Sequence, residues 1–195
     1  MLPAVILLAA IIFFRIAPWL NGSEALRAIA GISPLMAFAL CGGVFLPKRW
    51  ALWFPVAAVV ITHAVINVIA GMPVIHPYAV VVAVSVAAVA TAGVVVKKKA
   101  SLAVLLGTSF LSTVLFHFVS NTVSFFIDPG YAKTLAGWWQ CQTTGLPNVS
   151  PPTWVFTMRQ IIGDLTFTAL FYAAFRQSLP RPGTVPAAST APAAA

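Results

Sequence analysis

The sequence predicts an all-α polytopic membrane protein with six transmembrane helices, and three observations carry that expectation. Its 195 residues are 61% hydrophobic and only 7% charged, with a mean hydropathy of +0.98. The apolar residues fall into six runs near the roughly 20 residues that a hydrocarbon core about 30 Å thick demands of a helix. The charges punctuate those runs: eleven Lys and Arg against three acids give a net +8. In a water-soluble chain that balance would suggest nucleic acid; beside apolar runs membrane topology accounts for it, so the lipid bilayer is the expected partner and nucleic acid is not.

The first run, residues 1–20, has no basic residue ahead of it and no clear A-x-A cleavage site, so it reads as a retained helix rather than a signal peptide. The others are 33–47, 50–70, 78–96, 100–127 and 154–175. The second is short for a span and must begin in a loop or tilt little. Connections after the even-numbered helices hold Lys48 and Arg49, then Lys97, Lys98 and Lys99, then Arg176 and Arg181, which is seven of the eleven bases. Placing them in the cytoplasm puts both termini inside, in a bacterial cytoplasmic membrane. All six Trp (Trp19, Trp50, Trp53, Trp138, Trp139, Trp154) fall at helix ends or in the third outer loop, where an amphipathic indole suits the interface. That outer loop contains residues 131–142, which could form a short amphipathic helix lying in the interface or folding back over a cavity. A transmembrane domain over 1–177 would then be followed by a Pro- and Ala-rich cytoplasmic tail, 178–195, that cannot bury a core.

Polar residues inside such runs need partners or a cavity, because an ionised side chain at mid-depth costs about 2.5 to 3.5 kcal/mol on insertion scales. Asp164 lies about ten residues into the sixth run, with Arg159 and Gln160 one turn above it. It reads equally as a functional carboxyl or an interhelical strut, and Arg159, Gln160 and Asp164 all stand among the candidate substrate-binding residues. The third and fifth runs each carry a His with an Asn one turn later, His63 with Asn67 and His117 with Asn121. Spacing of four puts each pair on one helix face in the outer half, where the pairs either converge on a polar pocket or bond across helix interfaces.

Chemistry finds less support. The fifth run has Ser109, Ser112 and Ser120 near His117 but no G-x-S-x-G elbow, and the chain has no phosphate-binding loop, no H-E-x-x-H and no C-x-x-C-H. Cys41 and Cys141 are too few for a disulfide framework. No enzyme, resident cofactor or metal is expected. Two membrane His residues leave bis-imidazole haem ligation by His63 and His117 as a minor alternative. Ala79, Ala83 and Ala87 on the fourth run, and Ala39 with Gly43 on the second, give small-residue seams, which pack the bundle itself or dock a larger complex in which this chain is an accessory subunit.

Three blocks carry a resemblance: SPLMAFALCGGVFLPKR (33–49), LFHFVSNTVSFF (115–126), and TLAGWWQCQTTGLP (134–147) followed by MRQIIGDLTFTALFYAAF (158–175). They resemble a family of uncharacterised bacterial membrane proteins described as transport proteins. That family is similar in length and layout to the substrate-binding S components of energy-coupling factor transporters. Asn121, the run 134–137, Cys141, Arg159, Gly163 and Asp164 fall on the family pattern. The resemblance implies six helices around an outward-facing pocket for a small vitamin-like or aromatic solute, with a transmembrane coupling subunit and ATPases as partners. It implies a site among Asn67, His76, Tyr78, Asn121, Trp138 and Trp139, with Arg15, Arg27 or Arg159 to meet an anionic group.

Overall fold

The computed structural model describes residues 2–20, 32–147, 149 and 151–179, and every regular element among them is helical. In chain order these are α1 (Leu2–Leu20), α2 (Leu35–Phe45), the single turn α3 (Lys48–Ala51), α4 (Trp53–Ile69), α5 (Pro77–Val96), α6 (Leu102–Ile127), α7 (Leu135–Gln142) and α8 (Thr153–Phe175). Their limits follow local chemistry. Pro77 begins α5, with the His76 ring accepting from Tyr78 N (3.3 Å), and the Ser101 hydroxyl accepts from Val104 N at the start of α6 (3.3 Å). Gly71, at φ +67°, ends α4: Gly71 N bonds Val68 O and Met72 N bonds Asn67 O, the paired closure of a left-handed helix cap.

Three helical stretches are long and apolar enough to cross a membrane: Lys48–Ile69, Pro77–Lys99 and Leu102–Ile127. Just over a quarter of each, 28%, is buried inside the bundle, so most of their surface suits contact with lipid. The other three expected spans differ. The apolar part of α1 is the shorter stretch Val5–Ala17, and α8, though 23 residues long, is not among the spanning stretches and carries Arg159, Gln160 and Asp164. The second expected span, 33–47, becomes the 11-residue α2, about 16 Å long and buried along its whole length.

That short helix is the axis of the fold. It packs most extensively on α5 and α8, and also on α1, α4 and α6. Those five form a closed ring around it: α1 on α4, α4 on α5, α5 on α6, α6 on α8, and α8 back to α1 through Phe14 and Phe167, whose ring centroids are 4.7 Å apart. The core is accordingly built on Met36, Phe38, Leu40 and Val44 of α2, with Leu7, Ile11, Val59, Val86 and Leu105 of the ring. Small residues permit the closest contact, since Gly43 and Gly93 bring α2 and α5 backbone to backbone. Of the seam expected from Ala79, Ala83 and Ala87, the first two face Val59, Val60 and Ala64 of α4 across a cleft, as packing within the bundle requires.

The basic connections gather at one end of the bundle. Lys97 Nζ donates to Leu46 O (3.2 Å), joining the Lys97–Lys99 turn to the α2–α3 junction, and Phe45 meets Phe175 beside Arg176. At the opposite end α7 docks on α6. Trp138 Nε1 and Gln142 Nε2 both donate to the Thr122 hydroxyl (3.1 and 2.9 Å), and the Cys141 thiol donates to Asn121 O (3.1 Å). Lys133 closes the C-terminus of α6 through Phe125 O and Asp128 O. Leu135 and Trp139 project outward, 79% and 62% exposed, which fits an interfacial helix. Residues 21–31, between the first two expected spans, and residues 180–195 of the expected tail lie outside the described residues.

Burial among Phe125 and Tyr131 pushes the Cys141 thiol up. Because the thiolate is the reacting form, native protein at pH 8 is expected to resist maleimide at Cys141 and to react fully only after denaturation. Mass spectrometry of alkylated peptides checks this; rapid native labelling of Cys141 would contradict the docked position of α7.

Candidate functional site

The central helix is shorter than the ring around it, so the ring encloses space beyond the α2 N-terminus that the described residues leave unfilled. A hollow of about 230 Å³ lies there, drawing a side chain from every ring helix: Arg15 from α1, His63 from α4, Tyr78 from α5, Phe116 from α6 and Phe156 from α8, with Ser33 and Leu35 at the α2 end. A second hollow of about 250 Å³ shares His63 and Tyr78 and reaches toward the loops through Asn67, His76 and Asp128.

Arg15 is held by two contacts. Its Nε donates to the Thr62 hydroxyl at 3.1 Å, and a terminal nitrogen approaches His63 Nδ1 at 3.4 Å. Thr62 in turn donates to its own helix at Ala58 O and Val59 O. An arginine cannot accept, so Nδ1 of His63 must present its lone pair. These contacts use two of the five guanidinium donors. The His63 ring lies 6.2 Å from the Tyr78 ring, and Phe14, Trp19, Phe116 and Phe156 add aromatic walls. Among the described residues no acidic side chain lines this inner hollow, so their charge balance favours an anion. Ser33 lines the wall, and its buried hydroxyl has no hydrogen-bond partner among the described residues. A buried polar atom without a partner is costly, and a bound ligand would satisfy it.

Asp164 lies elsewhere and does other work. Its Oδ1 accepts from Met36 N (3.0 Å) and Ala37 N (2.9 Å), and its Oδ2 accepts from the Thr113 hydroxyl (2.7 Å) and Gln160 Nε2 (3.1 Å). The carboxyl thus caps the N-terminus of α2 from across the bundle, where the helix dipole favours an acceptor. Gln160 Nε2 also donates to Ser33 O. Both are expected as substrate-binding residues; the Asp164 carboxyl and the Gln160 amide nitrogen instead hold α2, and neither residue lines either hollow.

The remaining candidates divide. Asn67 lines the second hollow, but its amide donates to Pro73 O and Val74 O and so shapes the α4–α5 loop. His117 is 4% exposed, packed edge-on between Phe116 and Phe156, and its Nε2 has no partner among the described residues. Its position differs from that of His63 beside Arg15 and Tyr78. Asn121 receives the Cys141 thiol at its carbonyl, and Trp138 stacks edgewise on Phe118. Those two belong to the α6–α7 contact rather than to the hollow walls, and the outward-facing Trp139 lines neither hollow. Arg159 is half-buried on α8 and also lines neither hollow. Arg27 lies outside the described residues. Among the described residues no three His, Cys, Asp or Glu side chains come together as a metal site would require. Sequence reasoning missed Ser33, Phe14 and Phe156 as wall residues; Ser33 and Pro34 just before an apolar run were the available sign of a helix start.

This geometry occurs in a chain that can be placed among known proteins at the level of family. The chain belongs to DUF6580. That family is one of unknown function, and the match covers residues 1–183. No curated protein and no solved structure matches the chain. The hollow and the α2 cap therefore lie within the matched region of a DUF6580 member, and their chemistry has to be argued from the residues themselves.

Proposed function

We propose that this protein is a solute-binding membrane transport protein of the S-component type, taking up a small vitamin-like or aromatic solute from the side opposite the basic connections. The observation that supports this best is the hollow beyond the α2 N-terminus, where one cation, one imidazole, one phenol and an unpartnered hydroxyl face each other between aromatic walls. A guanidinium meets a carboxylate with paired donors, and aromatic rings accept a flat solute. Small-molecule sites are built of this mixture, mostly apolar with a few convergent polar groups.

In this reading α1, α2, α4, α5, α6 and α8 are the six membrane-embedded segments, with both termini and the lysine-bearing end in the cytoplasm of a bacterium. The gathering of Lys48, Arg49, Lys97–Lys99 and Arg176 at one end supports that orientation. A half-length helix starting inside the bundle fits a transporter, since backbone ends at membrane depth are tolerated where they are buried in protein or border a cavity. Release would be driven by a transmembrane coupling subunit with ATPases, or by a conformational step of the chain alone. Catalysis is not part of the proposal.

Thermal melting of the detergent-purified protein against a panel of ring-bearing carboxylates tests it. A true solute at about a hundred times its Kd should contribute ~2.7 kcal/mol and raise the melting temperature by several degrees. Arg15→Gln should abolish that rise while leaving the unliganded melt close to wild type. A panel without a stabilising solute, or a solute that binds Arg15→Gln equally well, would reject the site.

A further inference from the structure

A further depression lies outside both hollows, sharing only Phe116 with the wall of the first. A groove of about 650 Å³ lies between α5 and α6, its walls apolar apart from Ser85, Thr108 and Ser112. Thr108 returns its hydroxyl to Val104 O (2.8 Å), so even that group is satisfied within its own helix. Both helices belong to the stretches able to cross a membrane, so the groove opens where acyl chains would lie.

Gly107 marks the groove as shaped for something outside the bundle. Gly43 and Gly93 are demanded by neighbours, since a Cβ on either would strike backbone of the opposite helix, at 2.1 and 2.3 Å. A Cβ on Gly107 would meet nothing within 4 Å. Glycine weakens a helix relative to alanine, and here no contact within the described chain calls for it. One end of the groove lies at Ala103 and Val104, a turn beyond Lys97–Lys99. Lys98 and Lys99 are exposed there, and the partly positive N-terminus of α6 adds to the field.

We propose that the α5–α6 groove binds an anionic phospholipid, one acyl chain lying over Gly107 and the phosphate meeting Lys98 and Lys99. An apolar channel at hydrocarbon depth with two ammonium groups at its mouth complements an amphiphile with a negative head. A second copy of this chain is a poorer occupant. It would bring the same lysines to the mouth, and its acids number three: Glu24, Asp128 and Asp164, the last used in capping α2.

Native mass spectrometry of the full chain, with phosphatidylglycerol and phosphatidylcholine of identical acyl chains, reads the outcome. Wild type should retain phosphatidylglycerol about thirtyfold more tightly, the combined effect of two lysines near a lipid surface. Lys98→Gln with Lys99→Gln should bring the two lipids to parity. Gly107→Leu, which fills the groove without meeting backbone, should weaken retention of both. Equal retention by wild type, a preference that survives the lysine changes, or unaltered binding to a folded Gly107→Leu would each overturn the proposal. The lysine variant lies outside the packed core and decides the matter if the leucine variant fails to fold. A strong Gly107→Cys homodimer in native membranes, readable because Cys41 and Cys141 are buried, would assign the groove to a second copy instead.

Discussion

Replacing Asp164 with alanine is expected to prevent the protein from accumulating in folded form. The carboxyl is fully buried and accepts four hydrogen bonds, two of them from the first backbone N–H groups of the central helix. Without it Met36 N and Ala37 N face a dry interior with no acceptor, and Thr113 and Gln160 each lose a partner. The Thr113 hydroxyl can turn fully to Ser109 O and Gln160 keeps Ser33 O, so at about 1 to 3 kcal/mol for each of the two orphaned backbone donors the loss is ~2 to 6 kcal/mol, a large part of the ~5 to 15 kcal/mol that stabilises a typical protein. Asp164→Asn should fall between. Its oxygen can still serve the two backbone donors, but its amide nitrogen then opposes Gln160 Nε2, donor against donor. Fluorescence-detected size-exclusion melting in detergent gives the ranking wild type, Asn, Ala. An alanine variant that melts with wild type would show that α2 does not depend on this cap.

The second large effect is expected where α2 and α5 touch. A Cβ on Gly43 would sit 2.1 Å from Ala90 O, and one on Gly93 would sit 2.3 Å from Leu40 O. Both obstacles are helix backbone, which cannot rotate aside, so the helices must separate and α2 must shift against the remaining ring. Overpacking of this kind costs about 1 to 3 kcal/mol and sometimes more, and Gly43→Ala belongs at the upper end because no side chain can yield. Separation needs to happen only once, so Gly43→Ala combined with Gly93→Ala should cost less than the sum of the two. Gly107→Ala is the control: it enters open space and should be neutral or stabilising by up to ~1 kcal/mol. Melting temperatures of the three single variants and the double variant test the pattern, and a harmless Gly43→Ala would mean that the backbones are farther apart than described.

Most of the helices were legible from the chain. The expected runs 78–96, 100–127 and 154–175 lie within two residues of α5, α6 and α8 at each end, because an apolar stretch of bilayer length is a local property of sequence. The run 33–47 was legible as helix but not as what it is. Nothing in SPLMAFALCGGVF distinguishes a segment surrounded by lipid from one surrounded by other helices, since both solvents are equally apolar. The shortness of the run 33–47 for a span was the hint, and the consequence followed only from packing: an 11-residue axis leaves room at one end of the ring.

The site was legible in part for the same reason. His63 is among the polar residues too costly to leave facing lipid, Arg15 and Tyr78 are named only by the family resemblance, and the three meet in one hollow. Asp164 passed the same test, yet its partners lie 127 and 128 residues away in sequence, and no spacing rule connects them.

By itself, then, the sequence determined the apolar character of the chain, the helices and the end at which its lysines collect, because hydropathy and charge are summed along the chain without reference to neighbours. Only the tertiary structure decided which polar groups share a cavity and which close a helix end. That choice depends on how far each helix is rotated and raised against the next, and one turn either way gives a buried donor a different partner.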